Sequence, residues 1–183
     1  MLTNNTPVIG VLVGSTRPGS FNARLADKAR ELSPHTLVTV QGIDELPFFG
    51  EAIEDPTPAT VAALRETVSN LSGLLIITPE YNAGMPGMVK NAIDWLSRPF
   101  GDSAIGGLPT AVIGASPSPG GAAGAVAEGH RVLARARAHL VEQTVTVARA
   151  HKALADELDP QLTAQLASVL DELVASTSAV TAA

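Results

Sequence analysis

The sequence predicts a single α/β domain over residues 1–183, with helices on both faces of a parallel sheet. Five short apolar runs alternate with segments whose apolar residues recur at helical spacing. The first, third and fourth runs are almost continuously apolar, which is typical of strands covered on both faces. The second and fifth are more polar and alternate, which indicates edge strands. The runs are Val8–Val13, Leu37–Val40, Leu74–Ile77, Ala111–Gly114 and Val141–Val147.

Each helical segment opens on a residue suited to a helix start. Serine caps an N-terminus, proline fits the first turn, and alanine favours the helix itself. The predicted helices begin near Ser20, Pro58, Pro86, Ala122 and Pro160, and the alanine-rich fourth helix is expected to reach Leu140. Right-handed crossovers between the strands then limit the topology to a few doubly wound arrangements. We expect residues 176–183 to be frayed.

Composition narrows the possible functions. The net charge of −6 argues against nonspecific nucleic-acid binding, which needs a basic surface. The absence of cysteine removes thiol nucleophiles, disulfides and thiolate metal sites, and no histidines have the spacing of metal ligands. No apolar run is long enough to span a membrane. We therefore expect a cytoplasmic protein that acts on small molecules, without a nucleic-acid or membrane partner and without a metal.

The loop Gly14–Asn22 carries the strongest functional signal. A strand, a polar glycine-rich loop and a helix N-terminus follow one another here, and that order builds an anion site. An arginine among hydroxyl groups favours a phosphate ligand over the alternative of a plain strand-to-helix turn. The polar side chains on offer are those of Ser15, Thr16, Arg17, Ser20 and Asn22.

Two more loops follow the third and fourth runs, at the sheet edge where open parallel sheets bind ligands. Prolines and glycines bracket Glu80, Tyr81 and Asn82 in the first of them. Its backbone groups can contact the edge of a flat heterocycle, whereas the plainer interpretation makes Tyr81 a surface aromatic. In the second loop, Gly120 and Gly121 let a ring lie against the backbone.

These motifs resemble those of the NAD(P)H-dependent FMN reductases, a flavodoxin-like family that includes quinone and chromate reductases. The family pattern Gly-Ser-x-Arg-x-x-Ser-x-Asn is similar to Gly14–Asn22. The pattern Pro-Glu-Tyr-Asn-x-Ser-x-Pro-Gly-x-Leu-Lys-Asn-Ala-Ile-Asp-Trp is similar to Pro79–Trp95, except that Gly84 replaces serine and Val89 replaces leucine. The segment Asp44–Phe49 looks like the family's Leu-Pro-Leu-Phe loop. The resemblance spans roughly residues 8–121.

The resemblance implies a flavodoxin-like three-layer sandwich with a five-stranded parallel sheet in the order 2-1-3-4-5. It also implies FMN as the cofactor, NAD(P)H as the co-substrate, and a homodimer or homotetramer. The FMN phosphate would lie in the first loop and the isoalloxazine ring between the other two. The expected cofactor-binding residues are Ser15, Arg17, Ser20, Phe21, Asn22, Pro79, Glu80, Tyr81, Asn82, Ser116, Gly120 and Gly121.

The expected activity is ping-pong hydride transfer from NAD(P)H through FMN to quinones, free flavin or other small acceptors such as chromate. We assign no catalytic side chain, because the flavin carries the redox chemistry. The alternative is a flavodoxin-type electron carrier without substrate turnover, against which Arg17 argues. Trp95 lies off the apolar stripe of its helix, so a subunit contact and core packing both stay open for it.

Overall fold

The computed structural model describes residues 6–155 and 157–180. Its strands are β1 Val8–Val13, β2 Thr36–Thr39, β3 Gly73–Thr78, β4 Pro109–Ala115, β5 His139–Leu140 and β6 Thr146–Val147. Its helices are α1 Phe21–Leu32, α2 Ala59–Ser69, α3 Gly87–Leu96, α4 Ala123–Arg135, α5 Ala150–Ala153 and α6 Pro160–Val180, with one 3-10 turn at Glu51–Ile53. None of the helices in the described ranges is long and apolar enough to cross a membrane.

All strand pairs in the sheet are parallel, and the order is β2-β1-β3-β4-β5. The order 2-1-3-4-5 that the resemblance implied is therefore confirmed. The first four apolar runs became β1 to β4, each within two residues of its predicted bounds. Continuous apolar sequence specified the central strands well, because both faces of β3 and β4 are buried.

Helices cover both faces of the sheet and make three layers. Alternate residues of β3 serve opposite faces: Leu75 and Ile77 pack with α1 and α6, and Leu74 and Ile76 pack with α2, α3 and α4. This division follows from the two-residue period of a strand. Because the strands are parallel, their carboxyl ends meet at one edge of the sheet. Helices α1, α3 and α4 begin near that edge.

The fifth strand was predicted as one run, Val141–Val147, and that prediction was wrong. Two short strands replace it: β5 pairs with the start of β4 and β6 with its end. Between them the chain bulges away from β4. The N–H groups of Glu142 and Gln143 donate instead to the Glu172 carboxylate of α6, at 2.9 and 3.0 Å. A side chain from a distant helix thus replaces the ladder partner, which local sequence could not reveal.

Two helix ends also differ from the prediction. Helix α4 ends at Arg135 rather than reaching Leu140, because Arg137 takes a left-handed backbone with φ 65°. The Ala138 N–H then donates to the Leu133 carbonyl at 3.1 Å, the bond that defines a Schellman cap. At the C-terminus, α6 continues through Val180 where fraying was expected from residue 176. The rest of that tail, residues 181–183, lies outside the described residues.

We predict that Glu172→Ala lowers the free energy of unfolding by about 1 kcal/mol, the net worth of a typical hydrogen bond, because both bulge N–H groups lose their acceptor. Denaturant titration followed by circular dichroism measures this. The control is Glu66→Ala, since the Glu66 side chain makes no hydrogen bond within the described part of the chain. Equal stability losses in the two variants would contradict the assignment.

Candidate flavin site at the carboxyl edge of the sheet

The first two loops touch each other at Gly14. Its N–H donates to the Ile77 carbonyl at 2.8 Å, at the end of β3. A Cβ at this position would lie 2.5 Å from Val89 Cγ2 and 3.3 Å from Pro79 Cδ. Only glycine permits this approach, because a side chain would clash with these atoms. Gly14 therefore lets the Gly14–Asn22 loop pack against the loop that begins at Pro79.

The side chain of Asn22 joins the first loop to the third. Its Nδ2 donates to the Ala115 carbonyl and its Oδ1 accepts from the Ala115 N–H, both at 3.0 Å and both buried. Both polar ends of the amide are thereby used within the protein. The Asn22 side chain thus fixes the start of α1 to the end of β4, and its second Nδ2 hydrogen stays available to the predicted phosphate.

The start of α1 retains several donors for an anion. Ser20 is the N-cap: its Oγ accepts from the Ala23 N–H at 3.1 Å, and its carbonyl accepts from the Arg24 N–H. The N–H groups of Phe21 and Asn22 are left over, since a helix satisfies none of its first four by itself. The Ser15 hydroxyl makes no hydrogen bond in residues 6–155 and 157–180 and adds a further donor.

Two guanidinium groups flank this helix start. Arg17 and Arg24 each place their guanidinium carbon 5.7 Å from the centre of the Phe21 ring. Within the described residues, neither arginine forms an ion pair with a carboxylate. The cradle therefore has uncompensated positive charge, as a phosphate site needs. The sequence interpretation missed Arg24; the signal available was its place in the first turn of the helix that follows the loop.

The second loop makes a tight turn at Tyr81–Gly84. Tyr81 and Gly84 exchange two backbone hydrogen bonds of 2.9 and 3.1 Å, so the backbone groups of Tyr81 are used inside the turn. The N–H groups of Glu80 and Asn82 make none in the part of the chain that the structure describes, and these two can face a ligand. The Tyr81 side chain is 57% exposed beside them.

The third loop is largely closed on itself. Ser116 is buried and shares a 3.0 Å hydrogen bond between its Oγ and that of Ser118. Gly121 has φ 61°, and a Cβ there would lie 2.7 Å from the Ala148 nitrogen. The absence of a side chain therefore lets the segment after β6 pack against this loop. Gly120, by contrast, is exposed and has open space. Of these three sequence-predicted residues, Gly120 alone presents an open surface.

Two residues of the longer motif support a neighbouring loop instead. Asn91 accepts from the Phe49 N–H at 2.8 Å and donates to the Pro47 carbonyl at 3.0 Å. The Trp95 indole also donates to Pro47, at 2.8 Å, and the Trp95 ring meets Phe49 edge to face with centres 5.0 Å apart. Trp95 is fully buried. Of its two possible roles, the structure shows core packing.

Fold and site together define the class of protein: a flavodoxin-like α/β protein with an anion cradle at the first helix and a second ligand-facing loop beside it. The family model described as NADPH-dependent FMN reductase matches residues 7–152. The chain belongs to that family. This membership identifies FMN as the cofactor, and the free donors at α1 suit its phosphate, which carries about −1.5 to −2 charge.

Named relatives agree with this assignment. The chain is 43% identical over 109 residues to a 2-hydroxy-1,4-benzoquinone reductase of a Burkholderia species, covering 59% of this chain and 60% of that protein. It is 41% identical over 126 residues to a quinone reductase of Pseudomonas putida, covering 68% and 66%. The matches thus span about two thirds or less of these relatives' own length.

A solved structure extends the similarity to nearly the whole chain. FerB, a flavoenzyme NAD(P)H:(acceptor) oxidoreductase from Paracoccus denitrificans, superposes with a TM-score of 0.82 at 30% identity, covering 94% of this chain and 98% of that one. The apo form of the NADH:FMN oxidoreductase EMOB has a TM-score of 0.67 at 23% identity, covering 93% and 90%, and supports the fold alone.

We predict that Arg17→Ala weakens FMN binding by about 1.5–3 kcal/mol, the range for a hydrogen bond to a charged group. Fluorescence titration of FMN into the apoprotein measures it. Arg30→Ala is the matched control, because Arg30 lies in the last turn of α1, at the end away from this loop, and pairs with Asp27 at 2.8 Å. Unchanged affinity in Arg17→Ala would show that this loop does not hold the phosphate.

Proposed function

We propose that this protein is an FMN-dependent NAD(P)H:quinone oxidoreductase that works by a ping-pong sequence. The observation that carries the proposal is the contact of Gly14 with Pro79, which sets the anion cradle against the loop suited to a flat ring. A flavin mononucleotide has both parts, a phosphate and a flat heterocycle. The names of the Burkholderia and Pseudomonas relatives and of FerB supply the reaction class.

Each part of the site then has a defined task. Ser15, Arg17, Ser20 and the first N–H groups of α1 hold the phosphate. The N–H groups of Glu80 and Asn82 face heteroatoms at the ring edge, with Pro79 and Gly120 against the ring. Bound FMN supplies hydride acceptance from a nicotinamide and hydride delivery to an acceptor. We assign no side-chain acid or base to the reaction.

One open space serves both substrates in this scheme. The nicotinamide binds, gives up its hydride and leaves before the acceptor enters. Tyr81 is exposed beside this space and offers it an aromatic surface. Quinones are the acceptors expected first, because the relatives' names point to them; free flavin and chromate are further candidates that an open site admits. We place the enzyme in the cytoplasm, where reduced nicotinamide is supplied.

Steady-state kinetics tests the proposed reaction. We expect the FMN-loaded protein to oxidise NADH or NADPH with a quinone acceptor, and double-reciprocal plots at several quinone concentrations to be parallel. The same assay with Arg17→Ala regains activity as FMN is raised, because that change affects cofactor binding. Protein that binds FMN but oxidises neither nicotinamide with quinone, ferricyanide or flavin would contradict an enzyme and favour the electron-carrier alternative.

The same proposal includes a homodimer or homotetramer, supported by two exposed aromatic rings. Phe48 is 85% exposed and Phe100 is 76% exposed. Phe48 precedes Phe49 in the sequence and Phe100 follows Arg98 by two residues, and the Arg98 guanidinium lies 5.1 Å from the Phe49 ring centre. A cavity of about 470 Å³ between the ends of α3 and α4 is lined by Arg98 and Phe100. Large exposed aromatics of this kind are typical of subunit interfaces.

Light scattering coupled to gel filtration tests the assembly. We expect the mass of a dimer or tetramer for the native protein, and of a monomer for the double variant Phe48→Ser/Phe100→Ser, because the interface loses its apolar contacts. The control is Ile53→Ser, which replaces a smaller, 40% exposed side chain. A monomeric native protein would overturn the oligomer but not the reaction.

A further inference from the structure

The turn at Tyr81–Gly84 holds an unusual backbone conformation. Asn82 has φ 52° and Ala83 has φ 62°, both in the left-handed region. The pair of hydrogen bonds between Tyr81 and Gly84 closes the turn, and two consecutive left-handed residues are the signature of a type I′ turn. Asparagine tolerates this conformation, but alanine is strained in it, so contacts outside the turn are needed to keep it.

Two carboxylates supply those contacts, crossing between the turn and α4. Glu80, just before the turn, extends its Oε2 to accept from the Ala125 N–H at 3.1 Å. Glu128, on α4, extends its Oε2 to accept from the Met85 N–H, just after the turn, at 2.7 Å. The chain is therefore fastened to α4 immediately before and immediately after the strained residues.

Two glycines let the turn lie directly on the helix. A Cβ at Gly124 would lie 2.7 Å from the Ala83 carbonyl oxygen and 2.9 Å from Glu80 Oε2. A Cβ at Gly84 would lie 2.7 Å from Glu128 Oε2. Gly84 is the position at which this chain departs from the serine of the family pattern. Here a serine would displace the Glu128 carboxylate, so the glycine and Glu128 depend on each other.

We propose that Glu80 and Glu128 are positioning residues that fix the Tyr81–Gly84 turn, and with it the Tyr81 ring, at the mouth of the substrate space. The inference rests on the proposed function, because it assigns the Tyr81 surface to the nicotinamide and the acceptor. Neither the Glu80 nor the Glu128 carboxylate contacts the anion cradle at the start of α1. Loosening the turn consequently affects the binding of both substrates while leaving the anion cradle at the start of α1 intact.

The kinetic test uses Glu128→Ala and Glu128→Gln. In protein saturated with FMN, we expect Glu128→Ala to raise KM for both NAD(P)H and quinone roughly three- to tenfold, with kcat nearly unchanged. Glu128→Gln keeps an oxygen acceptor for Met85 and should restore native KM values. Arg131→Ala is the control: it breaks the 3.8 Å ion pair between Arg131 and Glu128 but leaves the Met85 contact. A loss confined to FMN affinity or thermal stability would overturn the proposal.

A double-variant comparison tests the mutual dependence of Gly84 and Glu128. Gly84→Ala should raise both KM values in the native background, because its Cβ displaces the carboxylate. The same change should add little in the Glu128→Ala background, where that carboxylate is gone. Equal, additive effects in both backgrounds would contradict the contact as the cause.

Amide hydrogen exchange of the apoprotein keeps this inference separate from the proposed activity. We expect the peptide containing Met85 to exchange about tenfold faster in Glu128→Ala, because one hydrogen bond to a charged group is lost, and at the native rate in Glu128→Gln. Faster exchange in a protein with no turnover would leave the turn contact standing and overturn the proposed function. Unchanged exchange in Glu128→Ala would overturn the positioning role itself.

Discussion

Two buried hydrogen bonds between the Asn22 amide and the backbone of Ala115 fix the geometry on which the candidate site depends. They tie the first turn of α1 to the end of β4, across a sequence separation that no local preference spans. They add a direct link between the anion cradle and the third loop to the relation that the sheet already sets. Gly14 makes the matching connection to the second loop by admitting Pro79 and Val89 at close range. A parallel sheet brings the strand ends to one edge, and these contacts turn that edge into a site.

Charge is distributed unequally over the resulting site. Arg17 and Arg24 stand at the anion cradle without carboxylate partners among the described residues, in a chain whose net charge is −6. The carboxylates of Glu80 and Glu128 lie at the other end, where backbone N–H groups of α4 and of Met85 occupy them. The cations are thus free to bind an anionic ligand, whereas the anions are committed to holding the protein in shape. Under the proposed function, this separation assigns phosphate binding and the shape of the substrate space to different residues.

The accuracy of sequence interpretation varied with the range of the interactions involved. Strands β1, β3 and β4 were predictable because burial on both faces demands a continuous apolar run. The edge strand was not, since its split depends on Glu172, about thirty residues further along the chain. Similarly, Ser20 was recognisable as a helix cap from its position alone. Nothing local indicated that the side-chain amides of Asn22 and Asn91 would form hydrogen bonds with backbone groups of other segments. The sequence of a motif is the same whether its asparagine side chain binds a ligand or another part of the protein.

The sequence by itself determined the class of fold, the order of elements and the two motifs that mark the family, because apolar period, capping residues and motif spacing are local properties. Tertiary structure alone decided which motif residues face outward. It set Asn22, Ser116 and Gly121 against the protein's own backbone and left Arg17, Tyr81 and Gly120 open. It also brought Arg24 to the Phe21 ring and Glu128 to the Met85 N–H. The physical reason is that each polar group takes the best partner within reach, and what lies within reach is known only after the chain has folded.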